Sequence, residues 1–346
     1  MKFPVKWTAD FIQEDGTTKF PDIGRDVLDA DPRVEQSFFE RHQPEIAPEQ
    51  IGDARALIVL TPKVTAASLA GAGDLLAVIR FGVGYDSVDV DACTEADVLL
   101  GITSGAVDRP VAEACVMWMM ALQHHLVAKD RLVREGRWDD RAGYMGGELR
   151  DRALGVVGCG GIARELIRLL GGFGMKQPLA FDPFLSEARA EELGVRKVEL
   201  PELMAGADFV SVHCPLTPET RGLIGRDELA RMKPGAYILN TARGGIIEED
   251  ALFEALQSKA IAGAALDCFE EEPVTEPHRF GALDNVLLAP HSIAWTNELF
   301  RDIGRTAGQR VIDLLDGRAP AGVVNRAVLE RPGFQEKWKR LTSGIA

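Results

Sequence analysis

The chain is predicted to be an α/β protein of two doubly wound parallel-sheet domains. Three observations lead there. Its 346 residues are long for a single hydrophobic core. Short apolar runs alternate with polar, helix-like stretches along most of its length, the pattern of βαβ units and a parallel sheet. Finally, Ala153–Asp182 (ALGVVGCGGIARELIRLLGGFGMKQPLAFD) reads as strand, glycine cluster, helix, strand and terminal acid.

Composition narrows the class. The chain is 46% hydrophobic and 27% charged, ordinary for a globular protein. Its 39 basic and 53 acidic residues leave a net charge of −14. That disfavours nucleic acid and anionic membrane as partners, since both require a basic footprint. An acidic substrate would have to be met by arginines placed locally. Five scattered cysteines without a C-x-x-C pair indicate a reducing compartment, not a disulfide scaffold or a zinc site. The segment MKFPVKWTADFIQEDG lacks the features of a signal peptide, and no apolar run reaches membrane-spanning length, so a cytoplasmic protein is expected.

In the first hundred residues the expected strands are Val34–Phe38, Ala56–Leu60, Leu76–Ile79 and Val98–Ile102. Helix-like stretches at Thr65–Ala70 and Asp89–Glu95 lie between them. Beyond the third run stands Arg80-Phe81-Gly82-Val83-Gly84-Tyr85-Asp86, either a plain glycine turn or an anion-holding loop with Arg80 beside it. Pro110 then opens a helix expected to continue to about Leu132. Its centre, AEACVMWMMAL, is apolar on nearly every face and demands burial or a subunit interface. His124 and His125 read as solvated or cap-like, and Arg137–Gly147 as a loop.

Gly158, Gly160 and Ala163 spell G-x-G-x-x-A, a dinucleotide-binding fingerprint. Its small residues permit a tight turn, close approach of a pyrophosphate, and helix–strand packing. Asp182 stands where an acid accepts hydrogen bonds from the adenosine ribose and repels a 2′-phosphate, which favours NAD over NADP. Further strands are expected at Asp208–Val212, Ala236–Leu239, Ile261–Leu266 and Val286–Leu288, separated by helices at Ser186–Leu193, Asp227–Met232 and Glu248–Gln257. With Ala153–Val157 and Leu179–Phe181 these make six, the number of a Rossmann-like sheet. Asn297–Asp316 reads as a final helix, Gly322–Asn325 as an extended piece and Arg331–Ala346 as a polar tail.

The unusual polar residues gather just past strand ends: His213-Cys214-Pro215, Thr241-Ala242-Arg243, Asp267 to Glu272, and Pro290-His291. Open α/β sheets bind their ligands there. Arg243, Glu272 and His291 form a complete set for reducing a 2-oxo acid. A guanidinium holds the carboxylate bidentately, a histidine exchanges the proton, and a carboxylate fixes its tautomer. No metal is required by this chemistry.

Arg243 in NTARGGIIEEDAL, Glu272 in GAALDCFEEEP and His291 in LAPHSIAWT resemble the signature blocks of the D-isomer-specific 2-hydroxyacid dehydrogenases. SVHCPLTPETRGLIGRDELARMKPGAYILNTARGG, RFGVGYDSVDV, VAEACVMWMMAL and VVNRAVL are similar to that family too, so the resemblance spans nearly the whole chain. It implies two Rossmann-like or flavodoxin-like domains with a cleft between them. The substrate domain would be discontinuous, 1–107 with 297–346, and 108–296 would bind NAD. It implies Arg243, Glu272 and His291 as catalytic residues. Gly158, Gly160, Gly161, Ile162, Asp182, His213, Pro215, Thr241 and Asp267 would bind the cofactor, and Arg80, Val83, Gly84 and Trp295 the substrate. Arg109 would meet a second acidic group on the substrate or pair with a neighbouring acid. The helix starting near Val111 would pack in a homodimer. Ala163 and Cys268 depart from the commonest pattern, the latter read as buried packing.

The expected activity is therefore an NAD-dependent D-2-hydroxyacid dehydrogenase or 2-oxo acid reductase. The alternative is an NAD(H)-sensing binding protein on the same scaffold, resembling the corepressors that the family includes. A formate or phosphite oxidiser is a further rival, and Glu272 argues against formate.

Overall fold

In the computed structural model, which describes residues 2–345, the chain divides into two units, Met1–Val107 with Trp295–Ala346, and Asp108–Ala294. The first unit starts with β1 (Phe3–Trp7), α1 (Asp26–Asp29), β2 (Val34–Phe38), α2 (Pro48–Ile51), β3 (Ala56–Val59), β4 (Ala77–Arg80), α3 (Val90–Glu95) and β5 (Leu99–Ile102). Its strands are parallel in the order β2-β1-β3-β4-β5, the flavodoxin-like arrangement. Every residue of β3 is buried, which is why it reads as a continuous apolar run. β1 was not among the expected strands: Phe3, Val5 and Trp7 are buried, but Pro4 and Lys6 between them hide the signal.

Asp89 caps α3, its Oδ1 accepting the Ala92 N–H at 2.9 Å. Thr65–Ala70, expected as a helix, is instead a series of turns. The Thr65 N–H donates to Ser68 Oγ at 3.1 Å and the Ser68 N–H to Thr65 Oγ1 at 3.3 Å, so local hydroxyls satisfy the backbone that a helix would have used.

The second unit contains α4 (Asp108–Gln123), α5 (Leu126–Arg134), β6 (Leu154–Val157), α6 (Gly161–Leu169), β7 (Leu179–Phe181), α7 (Glu187–Glu192), β8 (Arg196–Lys197), α8 (Leu200–Gly206), β9 (Phe209–Val212), α9 (Arg226–Arg231), β10 (Tyr237–Asn240), α10 (Glu249–Gln257), β11 (Gly263–Leu266) and β12 (Val286–Leu288). The sheet is parallel throughout, ordered β12-β11-β10-β9-β6-β7-β8. Strand order reverses between β6 and β9, the switch point at which such sheets open a crevice. Seven strands replace the expected six, because the two-residue β8 is too short and too basic to read as a strand. Each face of the sheet has its own core. Val157, Val210, Val212 and Ile238 pack beneath α8–α10, and Leu154, Val156 and Leu239 beneath α4 and α6.

The helix expected to run from Pro110 to Leu132 is two helices. Asp108 begins α4, with Pro110 third, where a missing N–H costs no helical bond. The break falls at His124–His125, where His125 turns left-handed at φ 51° and the Gly147 N–H donates to the freed Gln123 carbonyl at 3.0 Å. The expected loop 137–147 contains a 3-10 turn, Trp138–Tyr144.

The chain then returns to the first unit through α11 (Asn297–Leu315), capped by Thr296, whose Oγ1 accepts the Leu299 N–H at 3.0 Å. Residues 322–324 lie antiparallel along β5. The expected polar tail is largely a helix, α12 (Pro332–Thr342). Phe334 and Leu341 are buried, the Trp338 Nε1–H donates to the Leu314 carbonyl at 2.7 Å, and Lys337 Nζ donates to the carbonyls of Leu75, Ala96 and Asp97 at 2.9–3.1 Å. No helix among the described residues is long and apolar enough to cross a membrane.

Candidate active site

The glycine loop after β6 is shaped by contact. Gly158 has φ 90°, and a Cβ there would lie 2.7 Å from the Cys214 backbone nitrogen. Only glycine tolerates both, so the loops after β6 and β9 can touch. Gly160 caps α6 without a side-chain hydrogen bond, and a Cβ on it would meet nothing within 4 Å. At Gly161, the first residue of α6, a Cβ would meet the Asp108 carboxylate, so glycine there leaves room for that side chain.

Asp182 directly follows β7. Its Oδ2 accepts the Cys159 N–H and its Oδ1 the Phe184 N–H, both at 2.8 Å, so the acid also anchors the glycine loop. An uncapped helix start with an acid one strand away fits a dinucleotide, the pyrophosphate at the amides and the ribose at the carboxylate. His213 and Pro215 follow β9. Both His213 ring nitrogens are shut away from solvent without a hydrogen-bond partner, and burial pushes the pKa down to about 4. Thr241 follows β10, its Oγ1 3.6 Å from Cys115 Sγ.

Arg243, Glu272 and His291 come together on the loops after β10, β11 and β12. His291 Nδ1 and Glu272 Oε2 are 2.7 Å apart, and Glu272 Oε1 accepts the Phe269 N–H at 2.9 Å. Burial raises the Glu272 carboxyl, but the His291 ring, the Phe269 N–H and the charge of Arg243 outweigh it and hold Glu272 below the usual range. Gly244 makes this approach possible, since a Cβ there would sit 1.8 Å from the Phe269 carbonyl oxygen. The Arg243 loop is thereby packed directly on the backbone that leads to Glu272.

Two supports were not expected from sequence. Buried Asn240 donates from Nδ2 to the Arg243 carbonyl at 2.8 Å and accepts the Ala242 N–H at 3.0 Å, fixing the arginine loop. Asp267, expected only as cofactor lining, accepts the Ser292 N–H at 2.8 Å and the Ile293 N–H at 3.2 Å on Oδ1. Burial pushes the Asp267 carboxyl up, against the effect of those two N–H groups. Each residue ends or follows a strand, and a polar group at that position was the available signal. Cys268 is buried as expected, its thiol 3.4 Å from the Ala242 carbonyl.

In the first unit, Arg80 ends β4, donates to the Phe81 carbonyl, and lies over Gly82, where a Cβ would be 2.8 Å from Nη1. Thr103 pins this turn by accepting the Gly82 N–H on Oγ1 and donating its own N–H to the Gly82 carbonyl, both at 2.9 Å. Val83 and Gly84 follow, half-buried. Trp295 is 54% exposed and stands edge-on to Phe20 and Phe300, centroids 5.5 and 5.2 Å away. In the second unit Arg109 pairs with Glu113 and, at 3.3 Å, with Glu165, which is the pairing with neighbouring acids that the sequence left open.

A model of the D-isomer specific 2-hydroxyacid dehydrogenase NAD-binding domain matches residues 116–292. The glyoxylate reductase of Korarchaeum cryptofilum is 36% identical over 293 residues, 83% of this chain and 88% of that one. The D-3-phosphoglycerate dehydrogenase of Archaeoglobus fulgidus is 36% identical over 273 residues, 79% of this chain and 51% of that one, so the chain spans about half of that relative's length. Among solved structures, a glyoxylate reductase from Paecilomyes thermophila superposes with a TM-score of 0.79 at 26% identity, covering 94% of this chain and 99% of that one.

Proposed function

Because this chain belongs to the D-isomer specific 2-hydroxyacid dehydrogenase family, we propose that it interconverts a small 2-oxo acid and its D-2-hydroxy acid with NAD as the redox partner. The observation that carries this reading is the 2.7 Å contact between His291 and Glu272, with the charge of Arg243 acting on the same carboxylate. When bound, the nicotinamide supplies the hydride to C2 or takes it back. Gly158, Gly160, Gly161 and Ile162 would hold the pyrophosphate, and Asp182 the ribose.

Arg243 holds the substrate carboxylate and draws electron density from the carbonyl. With Nδ1 committed to Glu272, the Nε2 side of His291 is the proton donor to the carbonyl oxygen, and in the reverse direction the acceptor from the hydroxyl. Glu272 keeps the tautomer and stabilises the imidazolium between turnovers. Arg80, the Val83 and Gly84 amides and Trp295 would keep the substrate-binding role that the family resemblance implies.

The test is NADH consumption against glyoxylate, hydroxypyruvate, pyruvate, phosphohydroxypyruvate, 2-ketogluconate and aromatic 2-oxo acids. Turnover of at least one is expected. His291→Gln should lose on the order of 100-fold or more in kcat, and Arg243→Ala should lose turnover with NADH binding intact. Silence across the panel with tight NADH binding would move the assignment to a nucleotide sensor.

The chain is further proposed to form a homodimer through the region of α4 and α5. Met117, Leu126, Val127, Val133, Trp138 and Met145 leave a run of large apolar side chains exposed there. Sedimentation should give twice the chain mass; a monomer at assay concentration removes the proposal.

A further inference from the structure

The thiol of Cys268 has no part in the reduction of a 2-oxo acid, yet it stands beside two side chains that do. One donor atom from each of Cys268, Glu272 and His291 lies within 4.8 Å of the other two. Cys268 is buried, whereas the Glu272 and His291 side chains are 32% and 43% exposed, so this is a half-open cage with its sulfur at the base. From these residues we propose that Cys268, Glu272 and His291 bind a thiophilic divalent cation of the Zn²⁺ class, and that the bound ion turns the enzyme off.

The donor set selects the ion. Sulfur, imidazole and a single carboxylate suit Zn²⁺ or Cd²⁺, while Mg²⁺ and Ca²⁺ require several oxygens. In a tetrahedral zinc site the donors stand roughly 3.5 Å apart, so the three groups need to close only slightly. Glu272 and His291 are already nearer than that, and solvent supplies the fourth ligand. The Cys268 thiol exchanges a 3.4 Å contact to the Ala242 carbonyl for the ion.

Charge balances as well. Binding releases the thiol proton to solvent, and thiolate and carboxylate together neutralise the two positive charges. An ion drawing on imidazole and carboxylate at once also displaces the proton held between Nδ1 and Oε2, which passes to Nε2 of the neutral ring. That proton arrangement is what fits His291 to exchange a proton with substrate, so occupancy by the cation and turnover exclude each other. The inhibition part rests on the activity proposed above; the binding part does not.

The test uses the full chain freed of metal by chelation. Cd²⁺ is titrated while its sulfur-to-metal absorption band is followed, Zn²⁺ affinity is measured by competition with a chromophoric chelator, and NADH-linked reduction is assayed over the same concentrations. One ion per chain, a thiolate band and loss of turnover are expected together. Cys268→Ala should abolish the band and weaken Zn²⁺ binding on the order of 100-fold. Cys214→Ala, which removes a half-exposed thiol, should keep the band. If Cys268→Ala does not fold, Cys268→Val refills the space without a ligand. A band absent from the parent, or unchanged in the Cys268 variant, overturns the site. Binding through Cys268 with turnover intact supports the site and counts against His291 and Glu272 as the acid–base pair.

Discussion

Asp267 holds His291 from two sides. Its backbone carbonyl accepts the His291 N–H at 2.9 Å, and its carboxylate accepts the N–H groups of the next two residues. His291 needs such support, because its φ of 52° lies in the left-handed region that a side-chain-bearing residue enters at some cost. The imidazole is thus aimed at Glu272 by a buried acid that is not itself part of the proton exchange.

Asp267→Ala should therefore lower kcat more than it raises KM, and should destabilise the chain by about 1–3 kcal/mol through unpaired amides. Asp267→Asn retains one acceptor oxygen and should recover a good part of both. Steady-state kinetics beside urea unfolding separates the outcomes. Equal loss in the two variants would show that the charge, and not the acceptor geometry, matters.

His213 predicts an acid-side loss of stability. Burial lowers its folded pKa to about 4 from the ordinary 6.5, so between those values the unfolded chain binds more protons than the folded one. Stability is then complete above about pH 6.5 and falls as pH drops towards 4, by at most about 3 kcal/mol. His213→Leu should flatten unfolding midpoints across that window. An equally steep profile in the variant would place the titrating group elsewhere.

Asp182 should set the choice of cofactor. A carboxylate facing a 2′-phosphate costs several kcal/mol, so kcat/KM with NADPH should be on the order of 100-fold or more below that with NADH. Asp182→Ser should narrow the ratio. It should also loosen the loop that Asp182 ties through Cys159, visible as a weaker NADH Kd. Equal use of both cofactors by the parent would sink the assignment.

Lys337 predicts a stability effect far from this chemistry. Its ammonium satisfies three carbonyls from segments preceding β4 and β5. Lys337→Met leaves those acceptors without their donor and should cost about 2–3 kcal/mol in urea unfolding. No change in midpoint would mean that water takes the place of Nζ.

Much of the architecture was legible because parallel strands buried on both faces are uninterrupted apolar runs. β3, β6 and β9, buried at every residue, begin and end within one residue of such runs. The misses have more than one physical cause. β1 hides behind Pro4 and Lys6, and α12 behind basic residues whose neighbours Phe334, Trp338 and Leu341 point one way only once a sheet exists to receive them. The break after Gln123 depends on a backbone hydrogen bond from Gly147, more than twenty positions on. Arg243, Glu272 and His291 could be named from their places after strands. That Asn240 and Asp267 orient them could not, because an acid after one strand does not disclose whether it faces the ring or the backbone of a histidine after the next.

The interrupted connectivity of the first unit bears on how the protein is made. Residues 108–294 are contiguous and can complete their sheet as soon as they leave the ribosome. The first five strands, although synthesised earlier, wait for groups that emerge after the second unit. Asn325 accepts the Leu100 N–H and donates to the Val98 carbonyl, and Lys337 follows later still. During synthesis the amino-terminal sheet is therefore the unfinished part, and a nascent chain stalled before α12 exposes the edge at Leu75 and Ala96 instead of merely lacking a tail.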